Sequence, residues 1–483
     1  MSTRHRLLAA GVLAAGCALL PGAGAQQPIQ LPDLGDTSSG SLSAHYEREL
    51  GQEMVREIRR SLADFEDVQT RDYIRAMGAR LSSQSALGAD FSFFVLKDPS
   101  VNAFALPGGF VGVNTGLILA TRDEHALAAV MGHEIAHVTQ KHLARSFQLA
   151  ERLSLPAAAA MLAGLLLGGE AGQAAATAAM GGIMQKQIGF TRNNEEEADS
   201  IGLQYLVRAG YDPQGMVRMF ETLQNATRFY GSGPPEFLRT HPIHTNRIAD
   251  AQALTQRYPK RSPASGKAFH LIRARIQVLT AAHLPTLLKE VDGRLNSGQT
   301  THEESDRYAR ALILHRLSRL DEARTELEGL LKRDEGQPAY QLAMADVEAA
   351  ARQPERAVAR LRRLHRQHPE EASVNFALAE ILGLAGQSAE AAKLMLAYTR
   401  EHGDDADAWR VLARAQSDSG QRAAAHASLA EYHYHLGELE PAIQQLEQAV
   451  KLPAGDFYES SRIEARLREL KDERAREMDK GKR

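Results

Sequence analysis

The C-terminal half of the chain repeats with a period of 34 residues. The clearest sign of the period is a small residue at this interval, found as Ala323, Ala357, Ala391 and Ala425. Each of them stands inside an amphipathic stretch, for example residues 320–327. A unit of this length cannot bury its apolar face alone, so successive units must stack. The sequence therefore predicts an all-α solenoid with small residues where its helices cross.

This period is the one found in tetratricopeptide repeats. A further unit is indicated by residues at repeat-typical positions, namely Tyr434, Gly437, Ala442, Leu446 and Pro453. Residues 258–267 are rich in Pro, Ser and Gly and read as a linker in front of the array. We therefore predict a repeat domain over residues 268–483 and a separate domain over residues 26–260.

The composition, with 43% apolar and 24% charged residues, is typical of a folded soluble protein and not of a disordered or membrane-embedded one. A chain of 483 residues is too long for one core, which agrees with two or three domains. The net charge of -3 lacks the basic excess of a protein that binds a nucleic-acid duplex. We therefore expect no nucleic-acid partner.

Residues 1–25 have the pattern of a signal peptide. A basic start at Arg4 and Arg6 precedes an apolar run over residues 7–20, and small residues at 23–25 suit a signal peptidase. The run is too short to span a bilayer comfortably, which favours removal over anchoring. The sequence therefore predicts export from the cytoplasm.

Cys17 opens a competing interpretation, because residues 13–17 resemble a lipoprotein cleavage site. Ala14 stands where such a site would have leucine, so we favour cleavage after Ala25 over lipidation at Cys17. Cys17 is the single cysteine of the chain. After cleavage, the mature protein would contain no disulfide, cysteine nucleophile or thiolate metal site.

The first domain combines helices with a few strands. Apolar residues at spacings of three and four predict helices over residues 45–62 and 73–81. Residues 91–96 read as a strand, and the two apolar halves around Pro107-Gly108-Gly109 read as a hairpin. A further helix is predicted from Glu124 to about residue 150.

Residues 153–189 are almost entirely Ala, Leu, Gly and Met. A pair of glycines divides them into two halves, each too short to cross a membrane. We favour a buried helical hairpin. The alternative is a mobile apolar flap beside the active site or in peripheral contact with a membrane surface.

The strongest local motif is HEIAH, from His133 to His137. On a helix, residues four apart share one face, so both imidazoles can bind one metal ion. Glu134 is then placed beside a metal-bound water and can take its proton. Gly132 leaves room for another backbone to approach closely. The competing interpretation is an ordinary helix with two surface histidines.

A zinc peptidase needs a third protein ligand. Leu143 excludes the extended pattern in which a further histidine follows the motif. Glu195 and Asp199 are four apart on a second helical stretch, so Glu195 can bind the metal while Asp199 accepts a hydrogen bond from a ligating histidine. Glu197 is the neighbouring alternative. The competing interpretation is an acidic helix start that only complements the helix dipole.

The polar residues 239–247 supply further candidates. His241 is placed either to hydrogen-bond an oxyanion or to occupy an open metal position. Arg247 is a candidate electrostatic or structural partner. The competing interpretation is that His241 is structural, as most isolated loop histidines are. His244 is a second histidine in the same loop.

Taken in order, HEIAH, EEEAD over residues 195–199 and THP with Arg247 six residues after His241 resemble the gluzincin metallopeptidases related to HtpX and the CAAX prenyl endopeptidase. Because it has an export signal and repeats, the chain resembles the soluble periplasmic branch of that family. The resemblance implies a mainly α protein. Its first part would be an α+β zincin-type metallopeptidase domain with a small β-sheet, and its second an all-α tetratricopeptide-repeat solenoid.

Carried over position by position, the resemblance implies one Zn²⁺ ion per chain on His133, His137 and Glu195, with Glu134 as the general base. It implies that His241 acts beside the metal. One form of this role is that of a fourth metal ligand, which would keep the enzyme in a latent state. It also implies that residues 102–114 present an edge strand to an extended protein or peptide substrate. That segment contributes four candidate substrate-binding residues, namely Asn102, Gly109, Val111 and Val113.

The resemblance further implies a periplasmic location and contact between the repeats and the outer-membrane assembly machinery. The leading hypothesis is an exported zinc-dependent endopeptidase that degrades misfolded or stalled outer-membrane proteins and assists their assembly. The alternative is a chaperone or assembly adaptor that acts through its repeats and has a latent metal site.

Overall fold

The computed structural model of the chain describes residues 44–85, 90–142, 192–229, 236–241, 247–259, 266–453 and 455–480. Leu42–Arg483 forms one compact unit. The predicted signal peptide, the lipidation alternative at Cys17, the apolar residues 153–189 and His244 lie outside the described residues.

Two helices begin the described chain. They are α1 (Ala44–Ser61) and α2 (Val68–Ser82), and they confirm the helical stretches predicted from apolar spacing. Asp67 caps α2, because its carboxylate accepts a hydrogen bond from the backbone N–H of Thr70 at 3.1 Å.

The described residues form one three-stranded sheet. Its strands are β1 (Ser92–Leu96), β2 (Ala103–Leu106) and β3 (Phe110–Asn114), in the order β1-β3-β2. β3 pairs parallel with β1 and antiparallel with β2. The turn between β2 and β3 holds Gly108 at φ 73°, where a Cβ would also lie 2.5 Å from Cα of Arg48. The predicted strand and hairpin are confirmed.

The position of β3 corrects one prediction. β3 is the central strand, so its backbone pairs with β1 on one side and β2 on the other. Val111 and Val113 lie on β3 with fully buried side chains in the main core. The prediction that these two residues present an edge to substrate is therefore wrong. Among the described strands, the edges of the sheet belong to β1 and β2.

The HEIAH motif lies on α4 (Glu124–Thr139), which follows the short helix α3 (Thr115–Ala120). Asp123 caps α4 by accepting a hydrogen bond from the N–H of Ala126 at 3.0 Å. The prediction of one unbroken helix to about residue 150 is wrong, although residues 143–150 themselves lie outside the described residues. α4 ends at Thr139, and Lys141 adopts φ 52°, a left-handed conformation that a right-handed helix cannot include.

α5 (Arg192–Arg208) carries the EEEAD motif and crosses α4 at two glycines. A Cβ added to Gly202 would lie 3.0 Å from the carbonyl group of Gly132 and 3.0 Å from Cα of His133. The close approach predicted at Gly132 is therefore present, and it brings the backbones of the two motif helices into contact.

Three helices complete the first half of the described chain, namely α6 (Gly215–Phe229), α7 (Glu236–Thr240) and α8 (Arg247–Thr255). The second half consists of α9 (Lys267–Thr280), α10 (Leu284–Ser297), α11 (Glu303–Arg316), α12 (Leu320–Arg333), α13 (Pro338–Ala350), α14 (Pro354–Gln367), α15 (Ala372–Leu384), α16 (Ser388–Glu401), α17 (Ala406–Asp418), α18 (Arg422–His435), α19 (Leu439–Val450) and α20 (Phe457–Lys480). Across the described residues, no helix has the length and apolar character that crossing a membrane requires.

The repeat alanines lie where the period predicts. Ala323, Ala357 and Ala391 are fully buried, and Ala425 is 9% exposed. Each lies on the second helix of a pair, in α12, α14, α16 and α18. The predicted fold class, a mainly α protein with a small sheet and a helical-repeat second half, is confirmed.

Helix α2 of the first half packs against the repeats. Asp72 accepts a hydrogen bond from the backbone N–H of Ser373, in the first turn of α15, at 2.7 Å. Arg71 pairs with Asp407, and Arg75 pairs with Asp405 at 2.8 Å. We call this contact between α2 and the starts of α15 and α17 the α2 seam.

Candidate metal centre

Two imidazoles on α4 converge one helical turn apart. His133 and His137 are both fully buried, and their Nε2 atoms are 3.0 Å apart. Their rings meet edge-on at 71°, so the two Nε2 atoms point at a common position. This is the arrangement that the four-residue spacing on a helix predicts.

Helix α5 adds a carboxylate to the pair. Glu195 is fully buried, with Oε1 3.4 Å from Nε2 of His137 and Oε2 3.5 Å from Nε2 of His133. The glycine contact between α4 and α5 allows this approach, because larger residues there would hold the helices apart.

His241, directly after α7, completes the cluster. Its Nδ1 lies 2.9 Å from Oε1 of Glu195 and 3.4 Å from Nε2 of His133. Its Nε2 lies 3.5 Å from Oε1 of Glu134. The ring stacks on Phe237 at a centroid distance of 4.6 Å, which orients it towards α4.

These side chains fit a zinc ion. One atom from each of His133, His137, Glu195 and His241 lies within 4.8 Å of every other. Ligands 2.0–2.1 Å from a tetrahedral ion are separated by about 3.3 Å, which is close to the distances between these donor atoms. Imidazole and carboxylate ligands are also the chemistry that zinc accepts.

Asp199 and Arg247 support the cluster from behind. Oδ1 of Asp199 lies 3.0 Å from Nδ1 of His133, on the side of the ring opposite Nε2. Arg247, at the start of α8, donates to both carboxylate oxygens of Asp199 at 2.8 and 3.0 Å. Its third nitrogen lies 2.9 Å from Oε2 of Glu195. One guanidinium therefore fixes both carboxylates.

The structure separates Glu195 from its alternative Glu197. Glu197 does not join the four converging donors, and its Oε2 accepts from Nε2 of His142 at 3.0 Å. His142 is fully buried, and its Nδ1 lies 2.9 Å from Nδ1 of His137. Our sequence analysis missed His142, for which the only signal is a third histidine five residues beyond the motif.

Burial and neighbouring charges shift the pKa values of the converging side chains, in different directions for different residues. Burial alone would raise the pKa of Glu195, but His241 and His133 outweigh it and hold that pKa well below its usual range. Burial lowers the pKa of His137, and His133 lowers it further, which favours the neutral imidazole that binds metal.

The pKa values of His133 and Glu134 move the other way. Burial would lower the pKa of His133, but hydrogen bonds to Asp199 and Glu195 raise it to about 9, so a metal bound there displaces a proton. Burial raises the pKa of Glu134 above its usual value, against the opposing effect of His241. A raised carboxyl pKa suits a general base that works near neutral pH.

Strand β2, whose residues are all buried, lies beside this centre. The backbone N–H of Ala105, on β2, donates a hydrogen bond to the carboxylate of Glu134, which opposes the rise in the pKa of that carboxyl. Asn102 precedes β2 and is 2% exposed, and Gly109 is buried in the turn that follows it. Of the four residues predicted to bind substrate, these two therefore flank the edge strand, whereas Val111 and Val113 lie on the strand behind it.

Comparisons with known proteins agree with this geometry. The model of Peptidase family M48 matches residues 68–255, and a tetratricopeptide-repeat model matches residues 348–415. The chain is 38% identical over 341 residues to the putative beta-barrel assembly-enhancing protease of Vibrio cholerae, covering 69% of this chain and 70% of the relative. It is 34% identical over 336 residues to the beta-barrel assembly-enhancing protease of Escherichia coli K12, covering 69% of each.

A more distant relative is the mitochondrial metalloendopeptidase OMA1 of Schizosaccharomyces pombe. The identity is 29% over 218 residues, covering 43% of this chain and 60% of the relative.

Proposed function

Because this chain belongs to peptidase family M48 and is a metallopeptidase, we propose that it is an exported zinc-dependent endopeptidase that degrades misfolded or stalled outer-membrane proteins and assists their assembly. The observation that carries the catalytic part is the convergence of four buried donors beside Glu134. We assign His133, His137 and Glu195 as the metal ligands and Glu134 as the general base.

Zinc held by these residues would lower the pKa of a bound water and polarise the scissile carbonyl. Glu134 accepts the proton of the attacking water at its carboxylate and then delivers it to the leaving amine nitrogen. Asp199 orients His133, and Arg247 holds the carboxylates of Asp199 and Glu195 in place.

We assign two states to His241. With its Nδ1 among the other three donors, it occupies the position that a substrate carbonyl needs, which describes a latent centre. If the ring of His241 moves away from Glu195, it can donate a hydrogen bond to the developing oxyanion. Its place after the short helix α7, and not within a long helix, supports such a movement.

We propose that an extended substrate adds to the unpaired edge of β2. This edge runs past Glu134, as the contact of the Ala105 amide with that carboxylate indicates. Backbone hydrogen bonds to a strand edge bind many sequences with little preference for side chains. Such binding suits an enzyme that clears unfolded chains.

The remaining assignments follow from the sequence and the relatives. We propose a signal peptide over residues 1–25, a peptidase domain over residues 26–260 and a repeat domain over residues 268–483, with the mature protein in the periplasm. The names of the two bacterial relatives support a role in β-barrel assembly, with the repeats contacting the assembly machinery. We assign no nucleic-acid partner.

The test measures metal content and casein cleavage on the same purified samples. We expect one zinc per chain and cleavage by the wild type. Glu134→Gln should keep the metal but lose about 100-fold or more in rate, because only the proton acceptor is removed. Glu195→Gln should lose zinc. Glu196→Gln is the matched control, since Glu196 is exposed and pairs only with Arg192 among its described ion pairs. A wild type without metal would refute the proposal.

The second candidate is a chaperone or assembly adaptor that acts through its repeats while His241 keeps the centre latent. The position of His241 among the ligands favours it. Zinc without cleavage in the wild type, with cleavage appearing in His241→Ala, would support a latent centre. An outer-membrane assembly phenotype rescued fully by Glu134→Gln would support the adaptor.

A further inference from the structure

His142 is a buried histidine that the catalytic scheme leaves unused. It lies beyond the end of α4, and its ring meets that of His137 at 75° with 4.9 Å between centroids. One ring nitrogen faces His137 at 2.9 Å, and the other faces Glu197 at 3.0 Å. A histidine that only filled space would not need both nitrogens placed on polar partners.

The order of hydrogen bonds follows from the metal. If His137 binds the metal through Nε2, its Nδ1 carries the proton and must donate. Nδ1 of His142 then accepts, so the proton of His142 stands on Nε2. That proton is donated to the carboxylate of Glu197, which can only accept. A single tautomer of each ring satisfies the whole chain of contacts.

We propose that His142, fixed by Glu197, is a positioning residue that holds the ring of His137 in the orientation and tautomer that bind the metal. The proposal rests on the proposed function, because it requires a metal on His137. It also gives the Glu197 carboxylate a role two contacts away from the ion, in place of the ligand role considered from sequence.

The two ligating histidines are thus supported in different ways. His133 contacts the carboxylate of Asp199 directly, and a buried arginine fixes that carboxylate. His137 is supported through an imidazole, and the carboxylate at its far end is one-third exposed. Solvent competes for the outer contact, so the His137 support is the weaker and more adjustable of the two.

The experiment measures zinc dissociation constants by chelator competition and visible spectra after cobalt substitution. Removing the contact in His142→Leu should weaken zinc binding about tenfold to a hundredfold and shift the cobalt bands. His142→Asn can place an oxygen near the lost Nδ1 and should recover most of the affinity. Glu197→Ala should weaken binding several-fold, whereas its neighbour control Glu196→Ala should match the wild type.

Thermal unfolding of the metal-free variants separates positioning from folding. We expect Glu197→Ala to unfold at the wild-type temperature, because its side chain lies at the surface of the cluster. Unchanged zinc affinity and cobalt spectra in Glu197→Ala, or equal loss in His142→Leu and His142→Asn, would overturn the positioning role. A wild type that binds no zinc would instead refute the proposed function itself.

Discussion

The candidate metal centre and the α2 seam use the same residue types in surroundings that differ in their access to solvent. At the centre, Glu195 is fully buried, and Arg247 beside it is 3% exposed. At the seam, arginines also meet aspartates, but Arg75 is 41% exposed and Asp407 is 21% exposed, whereas Asp405 is buried. Both places join segments that are far apart in the sequence.

The difference shows that burial, more than the pairing itself, decides what an ion pair contributes. A pair in contact with water is screened and contributes about 0–1 kcal/mol. Removing one partner from a buried pair leaves an uncompensated charge, which costs about 3–5 kcal/mol. The centre, where every partner is buried, should therefore be less tolerant of charge deletion than the partly exposed pairs of the seam.

The largest effect should follow Arg247→Ala. The change removes the donor to both Asp199 and Glu195 and the contact of its guanidinium with the Phe220 ring at 4.7 Å. We expect the free energy of unfolding to fall by about 3–5 kcal/mol, measured by urea denaturation. Arg192→Ala, which loses an exposed pair, is the control and should change little. A loss below about 1 kcal/mol in Arg247→Ala would break the comparison.

Gly202→Ala should follow, because it acts on the same centre through packing without changing any charge. Its Cβ would lie 3.0 Å from the backbone of Gly132 and His133, so α4 and α5 must separate by a few tenths of an ångström. We expect about 1–3 kcal/mol of destabilisation and weaker zinc binding. Gly329→Ala, in a repeat helix where a Cβ meets nothing within 4 Å, is the control and should be neutral or stabilising. Wild-type zinc affinity in Gly202→Ala would contradict the tight crossing.

Asp72 sharpens the comparison, because it is a seam carboxyl that behaves like a buried one. Burial raises its pKa from 3.8 to about 6, although the N–H of Ser373 opposes the rise. The folded state therefore holds this proton more tightly, so the contribution of Asp72 to stability is greatest below pH 4 and is lost as pH rises through about 6. We expect Asp72→Asn to stabilise the protein by about 1–2 kcal/mol at pH 7.5 and by nothing at pH 4.

The measurement is urea denaturation of Asp72→Asn and wild type across this pH range. Asp64→Asn is the control. Asp64 pairs with Arg59 at 2.8 Å, so this substitution should destabilise the protein. Destabilisation of Asp72→Asn at pH 7.5 would show that the ionised carboxylate is favoured at the seam.

The smallest effect should be the coupling between Arg71 and Asp407. Their side chains are 11% and 21% exposed, so solvent screens this pair more than it screens the buried pairs of the centre. We expect a double-mutant cycle with Arg71→Ala and Asp407→Ala to give about 0.2–1 kcal/mol, decreasing with added salt. A salt-independent coupling above about 2 kcal/mol would place this pair with the buried centre.

The sequence predicted the parts of the centre that local spacing controls. His133, Glu134 and His137 share one helix, and Glu195 and Asp199 share another, so a helical repeat of 3.6 residues was enough to assign their faces. His142 escaped because it follows the left-handed Lys141, past the point where helical spacing describes the chain.

Long-range pairing explains the other errors. Alternating apolar residues indicated the β2–β3 hairpin, but they do not show which of its two strands pairs with β1. The strand order involves residues far apart in the sequence, because α2 and α4 share one hydrophobic core with Val111 and Val113. The repeats were simpler, because each unit contacts mainly its neighbours and the period alone describes them.

The α2 seam has a consequence for how the protein unfolds. A free solenoid behaves as a row of units that fray from either end, each held only by its neighbours. Here α2 holds the starts of α15 and α17 in the middle of the row, and Arg275 of α9 bonds Asp67 at the start of α2 at 2.7 Å. Opening of α20 breaks none of these contacts. Opening of the central units must also break contacts with the peptidase half, and Arg56 of α1 adds one more by donating to the carbonyl of Gly437, just before α19, at 3.2 Å. The seam thus joins two folding units into one cooperative step.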